Sequence, residues 1–178
     1  MSEKIDLEIV TPKGRALSAE VDEVTAPSVN GEFGVMPGHI PLLAALRTGI
    51  VSYRMGGDTK SCAVGAGTAE AGPSTLLLLV DAFVEKDAID PVLVHKDLDE
   101  AQASYDKLAA KDSVATADVE AKRLLVEKIN WLCTQLELYG EAPLATIRLL
   151  EDLGVRDNQD EANTEEANQE APQTPEAS

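Results

Sequence analysis

The sequence predicts an α+β chain. A β-sandwich or barrel occupies residues 1–94 and an antiparallel α-helical hairpin residues 95–140; a short extra helix (141–154) and a disordered acidic tail (155–178) follow. Three observations carry this reading. Up to about Val94, apolar and polar residues alternate in short stretches punctuated by Gly, Pro, Asp and Asn, the mark of half-buried strands. After Asp97 the apolar spacing lengthens to three and four, the period of a helix. Beyond Val155 no period remains.

Ile5, Leu7 and Ile9 alternate with Asp6 and Glu8, and Pro12-Lys13-Gly14 makes a turn into a second stretch carrying Leu17, Val21 and Val24 up to Ala26. Gly49–Arg54 and Lys60–Val64 flank Gly56-Gly57-Asp58, a hairpin signal, because glycine reaches the positive φ angles that tight hairpin turns need. Thr75–Val80 follows Gly72-Pro73 and is apolar without alternation, which predicts a strand buried on both faces. Many short strands at regular spacing predict a sandwich or barrel.

Asp97, with Glu100 three residues on, resembles a capping box and predicts the start of the first helix, whose Leu98, Ala101, Tyr105 and Leu108 share one face. Lys111-Asp112-Ser113 break it, and Thr116 or Asp118 can cap a second helix that runs to Tyr139 and stops at Gly140. The second helix carries a main stripe of Leu125, Ile129, Leu132, Leu136 and Tyr139. It also carries Leu124, Trp131 and Leu138, repeating every seven residues about 120° around the helix. A hairpin needs only one stripe. The second must therefore pack on the chain's own β domain, on a partner surface, or on each in exchange. Leu144, Ile147 and Leu150 mark the short extra helix, and the tail beyond it cannot bury enough apolar surface to offset its ordering entropy.

Charge narrows the partners. The formal charge is −17, and Glu151–Ser178 holds nine acidic residues against one basic, which leaves −9 on the rest of the chain. Such a surface repels nucleic-acid phosphates and anionic lipid. No stretch approaches a membrane span, and Met1-Ser2-Glu3-Lys4 has no charged-then-apolar leader, so neither export nor import is expected. Cys62 and Cys133 have no partner spacing, and reduced cytosolic thiols are expected.

Chemistry is sparse. Two histidines, His39 and His95, belong to no metal-ligand motif, so no metal or other cofactor is expected. Gly65-Ala66-Gly67-Thr68-Ala69-Glu70 begins like a dinucleotide fingerprint but puts Glu70 at the third glycine and has no helix after it; a hairpin or bulge is expected instead. No P-loop or nucleophile elbow occurs, so no catalytic residue is assigned.

The richest stretch is Gly31-Glu32-Phe33-Gly34-Val35-Met36-Pro37-Gly38-His39-Ile40-Pro41-Leu42-Leu43, whose three glycines and two prolines shape turns among apolar residues. With Val10-Thr11-Pro12, Leu46, Gly49, Gly65–Glu70 and Leu98-Asp99-Glu100-Ala101, it resembles the epsilon subunit of the rotary, F-type ATP synthase over roughly residues 3–140. The resemblance implies a ten-stranded β-sandwich and a helical hairpin in a non-catalytic rotor subunit. It implies partners too: the gamma subunit, the c-ring and, through the hairpin, the alpha and beta subunits. The location it implies is the cytoplasmic face of the bacterial plasma (inner) membrane, reached only through the complex. The family's hairpin can fold on the sandwich or extend along gamma, where it restrains ATP hydrolysis. Glu32 falls where the family places a c-ring-contacting acid, and Phe33, Pro37, Gly38 and His39 belong to the same run, with His39 expected to order the loop by a hydrogen bond.

Departures from the family are equally informative. Some members bind ATP through an Ile/Leu-Asp-x-x-Arg-Ala motif. Here Leu98 and Asp99 match, but Gln102 stands at the arginine position, and a neutral amide lacks both the charge and the forked donors. Weak or absent ATP binding is expected. Lys122, Arg123 and Lys128 are followed by Glu137, Glu141, Glu151 and Asp152, so docking by that end against acidic segments is opposed and weak inhibition at best is expected. Two other readings compete. One is a free-standing β-sandwich module dimerising through Leu124, Trp131 and Leu138; the other, a hydrolase, lacks any nucleophile–base or metal constellation.

Overall fold

The computed structural model describes residues 4–110 and 116–141. The short extra helix, the tail and the helix break at Lys111-Asp112-Ser113 lie outside them. Ten strands come first: β1 (Ile5–Thr11), β2 (Gly14–Val21), β3 (Glu23–Ser28), β4 (Gly31–Val35), β5 (Leu42–Leu46), β6 (Gly49–Met55), β7 (Asp58–Val64), β8 (Gly67–Ala71), β9 (Thr75–Val80) and β10 (Phe83–Glu85). A 3-10 turn (Lys86–Ala88) leads to helices α1 (Pro91–Ala109) and α2 (Thr116–Tyr139).

The strands form one continuous hydrogen-bonded sheet in the order β10-β7-β6-β3-β5-β8-β9-β1-β2, with β4 on β3. It folds on itself into two layers hinged where β3 meets β5, at the single pair Ser28↔Leu46. Alternate residues then point inward. Ile5, Leu7, Ile9, Val24, Val35, Val51, Leu76 and Leu78 are essentially inaccessible and pack in one cluster. The predicted β-sandwich is the structure.

Local signals explain the turns. Thr11↔Gly14 and Met55↔Asp58 close two-residue hairpins, with Gly14 at φ +121° and Gly56 at φ +65°. The expected continuous stretch from Arg15 to Ala26 breaks at Asp22, where the chain passes from one layer to the other. The Asp22 carboxylate accepts Lys4 Nζ at 2.5 Å and Gly56 N–H at 2.6 Å, which stitches the N-terminal strand to the β6–β7 turn. Those hydrogen bonds, the one from Lys4 first, hold its pKa below the ordinary carboxylate value.

Three expectations are corrected. Strand β9 is not buried on both faces: Leu76, Leu78 and Val80 point inward, whereas Leu77 is half-buried and Leu79 is 49% exposed. Helix α2 lies against β6 and β7, in the other layer, and among the described residues no helix packs on the outer face of β9. Gly65–Glu70 is not a hairpin either, because β7 pairs with β6 and β10 while β8 pairs with β5 and β9. Gly65-Ala66 is a corner between layers, bonded to the adjacent corner by Gly65 N–H to Ala82 O (2.9 Å) and Asp81 N–H to Ala66 O (3.0 Å). A Cβ on Gly65 would strike the Asp81 carboxylate, and one on Gly67 the backbone of Leu79, so close approach explains these glycines.

The third correction is the helix start. Asp97 lies inside α1. The cap is Asp90, whose side chain accepts Val92 N–H (3.0 Å) and Leu93 N–H (3.3 Å), with Pro91 at the first helical position. Its buried face is Val94, Leu98, Ala101 and Tyr105. Helix α2 stops at Gly140 (φ +114°) as predicted: Gly140 N–H bonds Glu137 O and Glu141 N–H bonds Leu136 O, a Schellman turn. Its seam is Val126, Ile129, Leu132, Cys133 and Leu136, while the predicted stripe members Leu125 and Tyr139 are half-buried and exposed.

Candidate partner interface

The Gly31–Leu43 run spans a strand and the loop after it. Gly31 (φ +112°) closes the β3–β4 turn, where Ser28 Oγ donates to Gly31 O (2.7 Å) and accepts from Asn30 N–H (3.2 Å). Glu32 is exposed on β4 opposite Pro27, and Phe33 is half-buried against the core. Pro37, Gly38 and His39 lie past the far end of β4, with roughly 10 Å of strand between Glu32 and Val35. The structure therefore does not gather these five residues at one place. It puts Glu32 and Phe33 opposite Pro27 and Ala26 of β3, and Gly38 against Pro73 of the β8–β9 turn.

The second group is well anchored. Gly38, at φ +82°, donates its N–H to Pro73 O (2.7 Å), and His39 N–H donates to Met36 O (3.1 Å). His39 Nδ1 lies 2.6 Å from Ile40 O, so the ring donates to its own loop. These three contacts fix the entry into β5.

That strand opens a surface which the sequence reading missed. Across the outer face of one layer, the register aligns Leu43, Glu70, Leu77 and Glu8 in one row. Ala45, Thr68, Leu79 and Val10 form the next row. Leu43 is 73% exposed, Leu79 is half exposed, and Met36 and Ile40 are exposed on the loop leading in. The unbroken Leu76–Val80 run was the available signal: apolar residues at every position put leucines on the outer face as well as the inner. Leucines exposed among the carboxylates of Glu8 and Glu70 make this face a candidate for contact with another protein.

On the hairpin, the seven-residue stripe changes character along its length. Leu138 is buried and shares a groove with Ile50, Tyr53 and Lys60; Trp131 is half-buried beside Pro12 and Ala82; Leu124 is 54% exposed. In this structure the stripe follows the chain's own sandwich. Leu98 of the degenerate nucleotide motif is buried in the helix seam, Asp99 is exposed and Gln102 half-buried.

Among the described residues no group of three or more His, Cys, Asp or Glu could hold a metal ion, and no helix is long and apolar enough to cross a membrane. Burial pushes the Cys62 thiol up to about 12, far from nucleophilic use.

Comparison with known proteins gives the family. Residues 4–86 match the profile described as "ATP synthase, Delta/Epsilon chain, beta-sandwich domain". The chain is 42% identical over 112 residues to ATP synthase epsilon chain 2 of Syntrophotalea carbinolica, covering 63% of this chain and 81% of that one. It is 38% identical over 131 residues to the ATP synthase epsilon chain of Geobacter sp. strain M21, covering 74% and 83%. Among solved structures, a chain in the cryo-EM structure of the Euglena gracilis mitochondrial ATP synthase (OSCP/F1/c-ring) shares the fold, with a TM-score of 0.58 at 23% identity over 72% of this chain and 79% of that one. Sandwich, hairpin and sequence agree, and the chain belongs to the ATP synthase epsilon chain family.

Proposed function

We propose that this chain is a non-catalytic rotor subunit of a proton-translocating ATP synthase, joining the gamma subunit to the c-ring so that proton flow drives ATP synthesis. The observation that carries the proposal is the outer face on which Leu43, Leu77 and Leu79 stand exposed or half-buried beside Glu8 and Glu70, with no described element of the chain packed over them. Gamma is the partner assigned to that face. The β3–β4 turn with Glu32 is assigned to the c-ring loops, where an exposed carboxylate can accept hydrogen bonds from basic or amide groups. Because Pro37, Gly38 and His39 sit at the other end of β4, their part is to set the geometry of β5.

Membrane association is then peripheral, through the complex and on its cytoplasmic face. Contact of the hairpin with alpha and beta subunits is weak in this reading, because Glu137 and Glu141 close α2 and no basic residue stands in its last turn. The dimerising module has less support, since Leu138 is already buried and Trp131 partly so. The test is reassembly of the synthase on stripped membranes with Glu32→Ala and His39→Ala chains. Glu32→Ala is expected to weaken reassembly and coupled proton pumping. Wild-type behaviour of both variants would remove the c-ring assignment.

A further inference from the structure

The outer face that carries Leu77 and Leu79 has an acidic end. Asp6 of β1 lies directly opposite Glu20 of β2, and two residues along, Glu8 lies opposite Ser18. On its other side β1 runs parallel to β9, which sets Asp6 beside Thr75 and Glu8 beside Leu77. Strand residues two apart share a face, so these side chains stand together on the outside of the layer. Between them lies a groove of about 520 Å³ whose lining includes Asp6, Glu8, Ser18, Glu20, Thr75 and Leu77.

The chain leaves this groove short of counter-charge. Glu8 has Arg15 at 3.1 Å, whereas Asp6 and Glu20 are exposed and form no ion pair among the described residues. Like charges directly opposite one another on two strands weaken a sheet. The Asp6–Glu20 pair therefore adds nothing to the stability of the free chain. Nor does the geometry make a metal site, since among the described residues no group of three carboxylate, His or Cys side chains could hold a metal ion. Leu77 forms one wall of the groove and continues through Glu70 to exposed Leu43. Acidic end and leucines are one surface, and a partner lying on the leucines also covers the groove.

We propose that the groove takes lysine or arginine side chains of the gamma subunit, so that gamma meets this face with apolar contacts at the leucines and cations at Asp6 and Glu20. The inference rests on the assignment of gamma to the face. A cation seated there offsets the like-charge pair and keeps both carboxylates partnered as water is excluded. A neutral or acidic partner surface would instead leave two unpaired carboxylates in a drier site, which costs free energy. The same charges draw a basic surface in and turn an acidic one away.

Binding of gamma to the full-length chain, measured at about 50 mM and about 500 mM salt, tests the proposal. Asp6→Asn with Glu20→Gln preserves side-chain size and removes both charges. At low salt this double variant should bind gamma about two- to thirtyfold more weakly than wild type, mostly through slower association. At high salt the two should converge, because screening removes the attraction. Its melting temperature should be at or slightly above that of wild type, since the like-charge pair is gone. Leu43→Ser with Leu79→Ser separates the proposal from the assignment beneath it. If that chain loses affinity while Asp6→Asn with Glu20→Gln binds like wild type, gamma uses the face but not the groove, and the proposal is overturned. If neither change weakens binding, the gamma assignment falls and the proposal with it. A loss of affinity equal at both salt concentrations, or a melting temperature well below wild type, would trace to altered shape and would likewise overturn it.

Discussion

Replacing Leu43 and Leu79 together by serine separates the partner face from the core beneath it. Leu43 is 73% exposed and Leu79 49%, so neither contributes its full side chain to folding. Burying a whole leucine is worth roughly 1.5–3 kcal/mol. The still-exposed fractions would then yield about 1–2 kcal/mol at Leu43 and about 0.7–1.5 kcal/mol at Leu79 when a partner covers them. Together these make roughly 2–3.5 kcal/mol, or about 30- to 300-fold in affinity for gamma. The free chain loses only the fractions already buried, about 1–2 kcal/mol, and should melt roughly 3–8 °C below wild type. Leu78→Ala, one residue away and fully buried, is the opposite control: it should cost about 2–5 kcal/mol of stability by leaving a cavity. Calorimetric titration of gamma with each variant, alongside thermal melts, reads both quantities. A double variant that binds gamma as tightly as wild type would refute the reasoning, as would one that unfolds like Leu78→Ala.

Other outcomes follow from single sites. Asp22→Asn should lower the melting temperature at pH 6, and because the folded pKa lies below the ordinary value, the gap to wild type should close as pH falls below about 4; a gap independent of pH would refute the stitch. Gly67→Ala should destabilise strongly, since its Cβ would meet the Leu79 backbone, and a wild-type melt would show that the corner yields freely. The isolated chain should show no micromolar ATP binding by calorimetry, because Gln102 lacks a guanidinium. Truncation from Thr116 onward should raise ATP hydrolysis by the assembled synthase only slightly; a large rise would show that the hairpin inhibits despite its acidic end.

How much of this was legible in the sequence depended on whether the signal was local. The sandwich followed from alternation in β1 and from glycine turns at Gly14 and Gly56, because strand period and turn chemistry are properties of neighbours. The α2 terminus was legible for the same reason, as Gly140 supplies the positive φ a Schellman turn needs. The α1 start was misread because Asp97 and Glu100 match a capping box, while the stronger local pair, Asp90 before Pro91, lies ahead of the amphipathic run. Tertiary facts were not legible. Whether β9 is covered on its outer face depends on which layer α2 lies against, and residues adjacent in the Gly31–Leu43 run are separated by the length of β4. The same limit hid the leucine-bearing outer face, which exists only once β5, β8, β9 and β1 are side by side.

The central claim is that this outer face is the seat of a partner in the synthase. Oxidative footprinting of Leu43 and Leu79, in the free chain and in the assembled complex, tests it most directly, with exposed Val92 on α1 as the internal reference. The account predicts that labelling of both leucines falls in the complex toward the level of buried Leu78, while they label readily in the free chain. Equal labelling of Leu43 and Leu79 in the two states would contradict it.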